Sequence, residues 1–176
     1  IKVPTPTIAT TSNSVFTVPH DGNPATDTAD ISIRGTGYDA MQGALAFQWT
    51  VDNEVVSSKE TVNMKMEVGQ KRFDLQVRDS QGDFTKTSVV VKVLPEPNAA
   101  PTANAGSNQS VTATNGLAHV VLHGRGYDSD GDDLSYHWSN GAGTEDIALD
   151  LHVGKHTFTF TVQNPYGAKA ASQVSV

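Results

Sequence analysis

Gly35-Thr36-Gly37-Tyr38-Asp39 returns 89 positions later as Gly124-Arg125-Gly126-Tyr127-Asp128. The same displacement carries Leu45 onto Leu134, Phe47 onto Tyr136 and Trp49 onto Trp138. Past the tryptophans it becomes 85: Val62, Met64, Met66 and Val68 fall on Ile147, Leu149, Leu151 and Val153. Gly69, Phe73, Leu75, Val77 and Gly82 likewise fall on Gly154, Phe158, Phe160, Val162 and Gly167. One gap of four residues, placed in a turn, reconciles the copies. Self-similarity at a fixed displacement marks repetition of one structural unit, so the chain reads as two tandem copies of a single module.

Within each copy apolar and polar residues alternate with period two, which puts every second side chain on one face of a strand. Ile31 and Ile33 begin one strand; Leu45, Phe47, Trp49 and Val51 share a face of the next. Val62 to Val68, Phe73-Leu75-Val77 and Val89-Val91-Val93 supply three more. Val120 and Leu122, then Leu134, Tyr136 and Trp138, repeat the parity in the second copy. Asp79-Ser80-Gln81-Gly82 and Asn164-Pro165-Tyr166-Gly167 are turn sequences. Short strands at regular spacing around one inward tryptophan predict an all-β fold of two immunoglobulin-like antiparallel β-sandwiches. Parity turns Trp49 and Trp138 into the cores rather than outward as sugar-stacking platforms. Tyr38 and Tyr127 are expected to pack at the sandwich edges, while Tyr166 and Phe84, in or beside turns, are candidates for exposure.

Leu94-Pro95-Glu96-Pro97-Asn98-Ala99-Ala100-Pro101 carries three prolines in eight residues, which favours an extended, semi-rigid spacer. The expected organisation is a first sandwich over 1–94, a Pro-rich linker over 95–101 and a second sandwich over 102–176. Ile1-Lys2-Val3-Pro4-Thr5-Pro6-Thr7 imitates the strand-end-plus-linker pattern, and the chain opens without an initiator methionine or a signal peptide. Both features point to a piece of a longer protein with a further folded unit ahead of it.

The 176 residues hold 12 Lys plus Arg against 19 Asp plus Glu, a net charge of −7. That balance argues against a nucleic-acid partner, which needs a basic face, and against an anionic membrane surface. No apolar stretch approaches the ~18 residues of a membrane span. With no cysteine there is neither a disulfide framework nor a thiol nucleophile. No Gly-x-Ser-x-Gly elbow and no His-Glu-x-x-His pair occur, so the expectation is a chain that is not an enzyme.

Asp128-Ser129-Asp130-Gly131-Asp132-Asp133 packs four carboxylates into six residues. Like charges at this density repel, and a hard cation with oxygen ligands relieves them; the alternative is a solvated acidic turn. It is not an EF-hand, since the remaining ligand positions and the flanking helices are missing. Five of the six histidines, His119, His123, His137, His152 and His156, lie in the second copy. Parity turns His119, His123 and His152 outward, and no metal is assigned to them.

The residues resemble the PKD (polycystic kidney disease) domain over almost the whole chain. Gly69, Phe73, Leu75, Val77, Asp79 and Gly82 match its second half. So do Gly154, Phe158, Phe160, Val162, Asn164 and Gly167, with Asn164 in the aspartate's place. Ala100 to Gly106 resembles its amino-terminal strand, and Gly131 to Trp138 its loop and central strand. The family's acidic loop after the tryptophan is missing, and fibronectin-type and cadherin-like sandwiches are alternative readings. The resemblance implies calcium bound by Asp128, Asp130 and Asn98; Asp132 is added by proximity. Met41 stands where Asp130 would fall in the first copy, and Thr7 replaces the linker asparagine, so calcium is expected in the second copy alone. An ion held by Asn98 would tie linker to sandwich and stiffen the joint.

The resemblance further implies non-catalytic accessory or spacer modules of a secreted or cell-surface protein, such as a protease or chitinase, with that protein's other domains as partners. The competing expectation is a binding module for an insoluble polymer (collagen or chitin, hence a polysaccharide or collagen partner) or for another protein.

Overall fold

The computed structural model describes residues 3–10 and 14–176. Ile1 and Lys2, the start of the leading segment read as strand end plus linker, lie outside the described residues, as does the side chain of Thr7. The chain is all-β, and its packing divides it into two units: Ile1–Pro19 with Ala25–Pro97, and His20–Pro24 with Asn98–Val176.

The first unit contains β1 (Thr5–Thr10), β2 (Val15–Thr17), β3 (Thr28–Tyr38), β4 (Ala46–Val51), β5 (Glu54–Ser57), β6 (Thr61–Glu67), β7 (Gly69–Arg78) and β8 (Phe84–Leu94). They form a three-stranded sheet, β1-β3-β6, and a five-stranded sheet, β2-β8-β7-β4-β5. Pairing is antiparallel except between β2 and β8. The leading segment is therefore a strand from Thr5 onward, because β3 extends far enough for Thr5 to pair with Tyr38. Alternation does its work: Ile31 and Ile33 from one sheet meet Trp49, Val51, Phe73, Leu75, Val77, Val91 and Val93 from the other in one buried core.

The second unit contains β9 (Thr102–Asn104), β10 (Leu117–His123), β11 (Arg125–Tyr127), β12 (Ser135–Trp138), β13 (Asp146–His152), β14 (Thr157–Gln163) and β15 (Lys169–Ser175). The sheets are β10-β13, β11-β9 and β12-β14-β15. Strands β10 and β11 correspond to β3, with Gly124 between them donating its N–H to the Glu145 carbonyl at 2.9 Å; Gly35 donates to Glu60 at 2.8 Å in the same way. Val120, Leu122, Trp138, Ile147, Phe160, Val162 and Val174 form the core. Both indoles are fully buried, and each N–H finds a carbonyl: Glu60 for Trp49, Thr144 and Glu145 for Trp138.

The glycine pairs have a packing reason. A Cβ on Gly35 would lie 2.4 Å from the Leu75 side chain and 2.8 Å from the Trp49 ring; one on Gly124 would lie 2.6 Å from the Phe160 ring. Bare α-carbons at these positions let the opposite sheet close.

The four-residue gap also has a structural meaning. In the first copy β4 turns through Asp52 (φ 51°) and Asn53 (φ 69°) into β5, a two-residue hairpin of the kind that needs positive φ at both central residues. In the second copy the chain doubles back at once, Gly141 donating to the Trp138 carbonyl and Trp138 to that of Ala142, each at 2.8 Å. Among the described residues no strand corresponds to β5 there.

Some expectations need correction. Tyr38 and Tyr127 do not pack at the edges: they are 65% and 67% exposed, because glycines, not tyrosines, occupy the inward positions of their strands. Val68 and Val153 are exposed too. The strands β6 and β13 end one residue earlier, and the alternation ends with them.

Candidate metal site

Asp128 follows β11, where the chain leaves the sheet and turns. Its Oδ1 accepts the N–H of Asp130 at 2.9 Å, and Gly131 passes through φ 83° to complete the turn. This delivers Asp132 inward. Its residue is buried, its side chain has no accessible surface, and no hydrogen bond reaches its Oδ1. The imidazole Nε2 of His20 lies 3.2 Å from that oxygen, within ion-pair distance.

From the other side comes Asn164, the first residue of the β14–β15 turn. Its N–H donates to the Ala168 carbonyl and its Oδ1 accepts the Ala168 N–H at 3.0 Å, which fixes the orientation of the amide. Nδ2 therefore faces Asn98 Oδ1 at 2.9 Å, the Ala99 carbonyl at 3.1 Å, Asp128 Oδ2 at 3.3 Å and Asp132 Oδ2 at 3.4 Å. Exposed Asp130 accepts the N–H of Ala99 at 2.5 Å. The fold thus gathers Asn98, Asp128 and Asp132 around one amide, with Asp130 beside them fastening the chain that enters the sandwich.

The oxygen supply exceeds the hydrogen supply. A side-chain amide has two hydrogens, so the four oxygens around Nδ2 must share them, and no hydrogen bond reaches Asp132 Oδ1. A buried carboxylate oxygen without a partner is costly. Carboxylates with amide and backbone carbonyl oxygens are the donor set that hard divalent cations take. On these grounds the residues fit calcium.

The first copy makes the contrast. Asp39 Oδ1 accepts from Met41 N and Oδ2 from Gly43 N, both at 2.9 Å. Gly43 stands where the second copy has Asp132, and a Cβ there would lie 2.8 Å from Asp39 Oδ2. One aspartate saturated by backbone donors replaces a convergent set of carboxylates.

Sequence reasoning missed two participants. Asn164 was visible only as a substitution in the repeat, and His20, distant in sequence, gave no signal. Among the described residues, His20, Asp130 and Asp132 are the only three His, Asp or Glu residues whose donor atoms, one from each, all lie within 4.8 Å of one another. Two of the outward histidines are paired instead. His119 sits 2.9 Å from Asp150, and His123 3.1 Å from Asp146, each directly opposite on β10–β13. Arg125, hydrogen-bonded to Asp146 at 2.6 Å, and then His123 hold the Asp146 carboxyl below its usual range.

No family model matches the chain. Over 180 residues it is 27% identical to the Dyslexia-associated protein KIAA0319-like protein of Mus musculus, covering 93% of this chain and 17% of that protein. Over 154 residues it is 29% identical to the Dyslexia-associated protein KIAA0319 of Homo sapiens, covering 87% and 13%. The chain thus spans less than a fifth of these curated relatives. Among solved structures, the fibronectin(III)-like modules of Clostridium thermocellum CbhA cover 97% of this chain and 92% of theirs, at 16% identity and TM-score 0.39. The described residues contain no helix long and apolar enough to cross a membrane. The chain is an all-β protein built of immunoglobulin-like antiparallel sandwich modules.

Proposed function

We propose that the two sandwiches are non-catalytic PKD-type accessory modules of an extracellular protein, the second stabilised by calcium. Support for the PKD assignment comes from the repeat and from the KIAA0319 proteins, which carry PKD domains. The observation that carries the calcium reading is the convergence of oxygens from Asn98, Ala99, Asp128 and Asp132 on a single side-chain amide. Asn98, Asp128, Asp130 and Asp132 hold the ion. It supplies positive charge, and the residues use it to fasten the segment at Asn98 and Ala99 to the acidic turn. The modules act as spacers for the other domains of the parent protein, a secreted or surface hydrolase in the reading that the resemblance implies.

Scanning calorimetry with calcium and then with chelator tests this. Calcium should raise the melting temperature of the second unit and leave the first unmoved. A thermogram indifferent to calcium removes the ion from the account.

A second reading, binding of an insoluble polysaccharide or collagen, is favoured by Tyr38 and Tyr127, which are two-thirds exposed at equivalent positions. Retention of the chain on chitin or collagen, lost on Tyr38→Ala/Tyr127→Ala, would establish it over the spacer role.

A further inference from the structure

Asp132 presents its two oxygens to different surroundings. Oδ2 joins the oxygen set around Asn164, whereas Oδ1 faces the segment His20–Pro24, which packs with the second unit. His20 Nε2 is 3.2 Å from this oxygen. The imidazole lies against the ring of Tyr166, with centroids 5.6 Å apart and planes 29° apart, a stacking that orients it. Gly22 brings the segment close: a Cβ there would meet Asp132 Oδ1 at 3.4 Å. Asp130, tied to the Ala99 N–H, supplies the third donor.

We infer that this side of the site binds zinc(II) through His20 Nε2, Asp130 and Asp132 Oδ1. The inference rests on the reading of the acidic turn as a cation site and specifies which ion each side of Asp132 takes. Calcium takes oxygen ligands, and Asn98, Ala99, Asp128, Asp130 and Asp132 Oδ2 provide them. Imidazole suits zinc and its neighbours, and one imidazole with two carboxylates is a zinc ligand set that leaves a position for water. The neutral imidazole offers its Nε2 lone pair, so the buried carboxylate loses its unsatisfied oxygen without His20 having to be charged. The two ions share Asp130 and Asp132 and therefore compete.

Titration calorimetry on the full chain tests the proposal, with zinc chloride and calcium chloride as separate titrants. His119, His123, His137, His152 and His156 are replaced by glutamine in the background to silence imidazoles outside the site. Circular dichroism confirms the fold of every variant. His20→Ala should weaken zinc by at least about tenfold, as loss of one of three ligands requires, and leave calcium within about twofold. Asp132→Asn should weaken both ions, and saturating calcium should raise the apparent Kd for zinc. Zinc affinity unchanged by His20→Ala overturns the inference while leaving the calcium reading intact. Zinc heat absent while calcium binds overturns the inference alone; heat absent with both ions overturns both.

Discussion

Gly124→Ala puts the packing of the second sandwich to a quantitative test. The new methyl carbon would lie 2.6 Å from both Cε2 and Cζ of Phe160 and 2.8 Å from Cδ2. Carbon atoms rest at about 3.5–4.0 Å, so roughly 1 Å must be found. Phe160 is fully buried, its ring 4.8 Å from that of Trp138 and 5.7 Å from that of Tyr136, so it has no free direction in which to retreat. Overpacking of this kind costs about 1–3 kcal/mol, and the lack of relief places Gly124→Ala at the upper end, about 2–3 kcal/mol. For a unit of this size that lowers the melting temperature by ~10–20 °C. The assay is calorimetric unfolding of the full chain, repeated with Phe160→Leu and with the double variant. Leucine removes the far ring atoms that clash, so the double variant should be more stable than the sum of the singles by ~1 kcal/mol or more. Gly141→Ala serves as control: it has positive φ and open space around it, so it should show no coupling to Phe160→Leu. A Gly124→Ala protein within about 0.5 kcal/mol of the parent, or strict additivity with Phe160→Leu, would refute the reasoning.

Further outcomes are expected elsewhere. Asn164→Asp sets a third carboxylate beside Asp128 and Asp132, facing the Asn98 oxygen; without calcium it should cost about 2–4 kcal/mol through lost donors and repulsion. With calcium the loss should shrink, and urea unfolding in calcium and in chelator measures both. Trp138→Phe leaves the carbonyls of Thr144 and Glu145 without the indole N–H and opens a cavity. It should cost about 2–3 kcal/mol, read by the same unfolding. Since both indoles are buried, native fluorescence should be blue-shifted and resist acrylamide; easy quenching would contradict the two-core packing. Asp146 titrates below its usual range when folded. Its stabilising effect is therefore present above the ordinary carboxylate pKa, ~4, and is lost as pH falls through the lower folded value. The stability difference between wild type and Asp146→Asn should be visible at pH 7 and vanish toward pH 2.

The sandwich was legible because burial in it has period two. Ile31, Ile33, Trp49, Phe73, Leu75 and Val77 announce their face, and the repeat confirms it a second time. Strands with weak alternation were not legible: Ile1 to Thr7 reads as strand end plus linker because Pro4 and Pro6 mask a pairing from Thr5 onward that only β3 decides. Tyr38 and Tyr127 misled because aromatic residues suggest burial, while the glycines beside them hold the inward positions. At the metal site the local cluster Asp128–Asp133 could be read directly. Asn164 and His20 could not, since their convergence depends on the β14–β15 turn and on a segment more than a hundred residues upstream of Asp132.

The four residues missing after Trp138 make the two modules unequal as templates. In the first, β5 caps the end of its sheet; in the second, no strand among the described residues covers the outer rim of Ser135–Trp138, where Trp138 pairs only with the turn at Gly141 and Ala142. Such rims recruit stray extended chains, and proteins blunt them by keeping them short and polar. Four residues with Ser135 and His137 turned outward satisfy that rule. Lengthening this strand with β-branched residues would convert a harmless terminus into a seed for self-association.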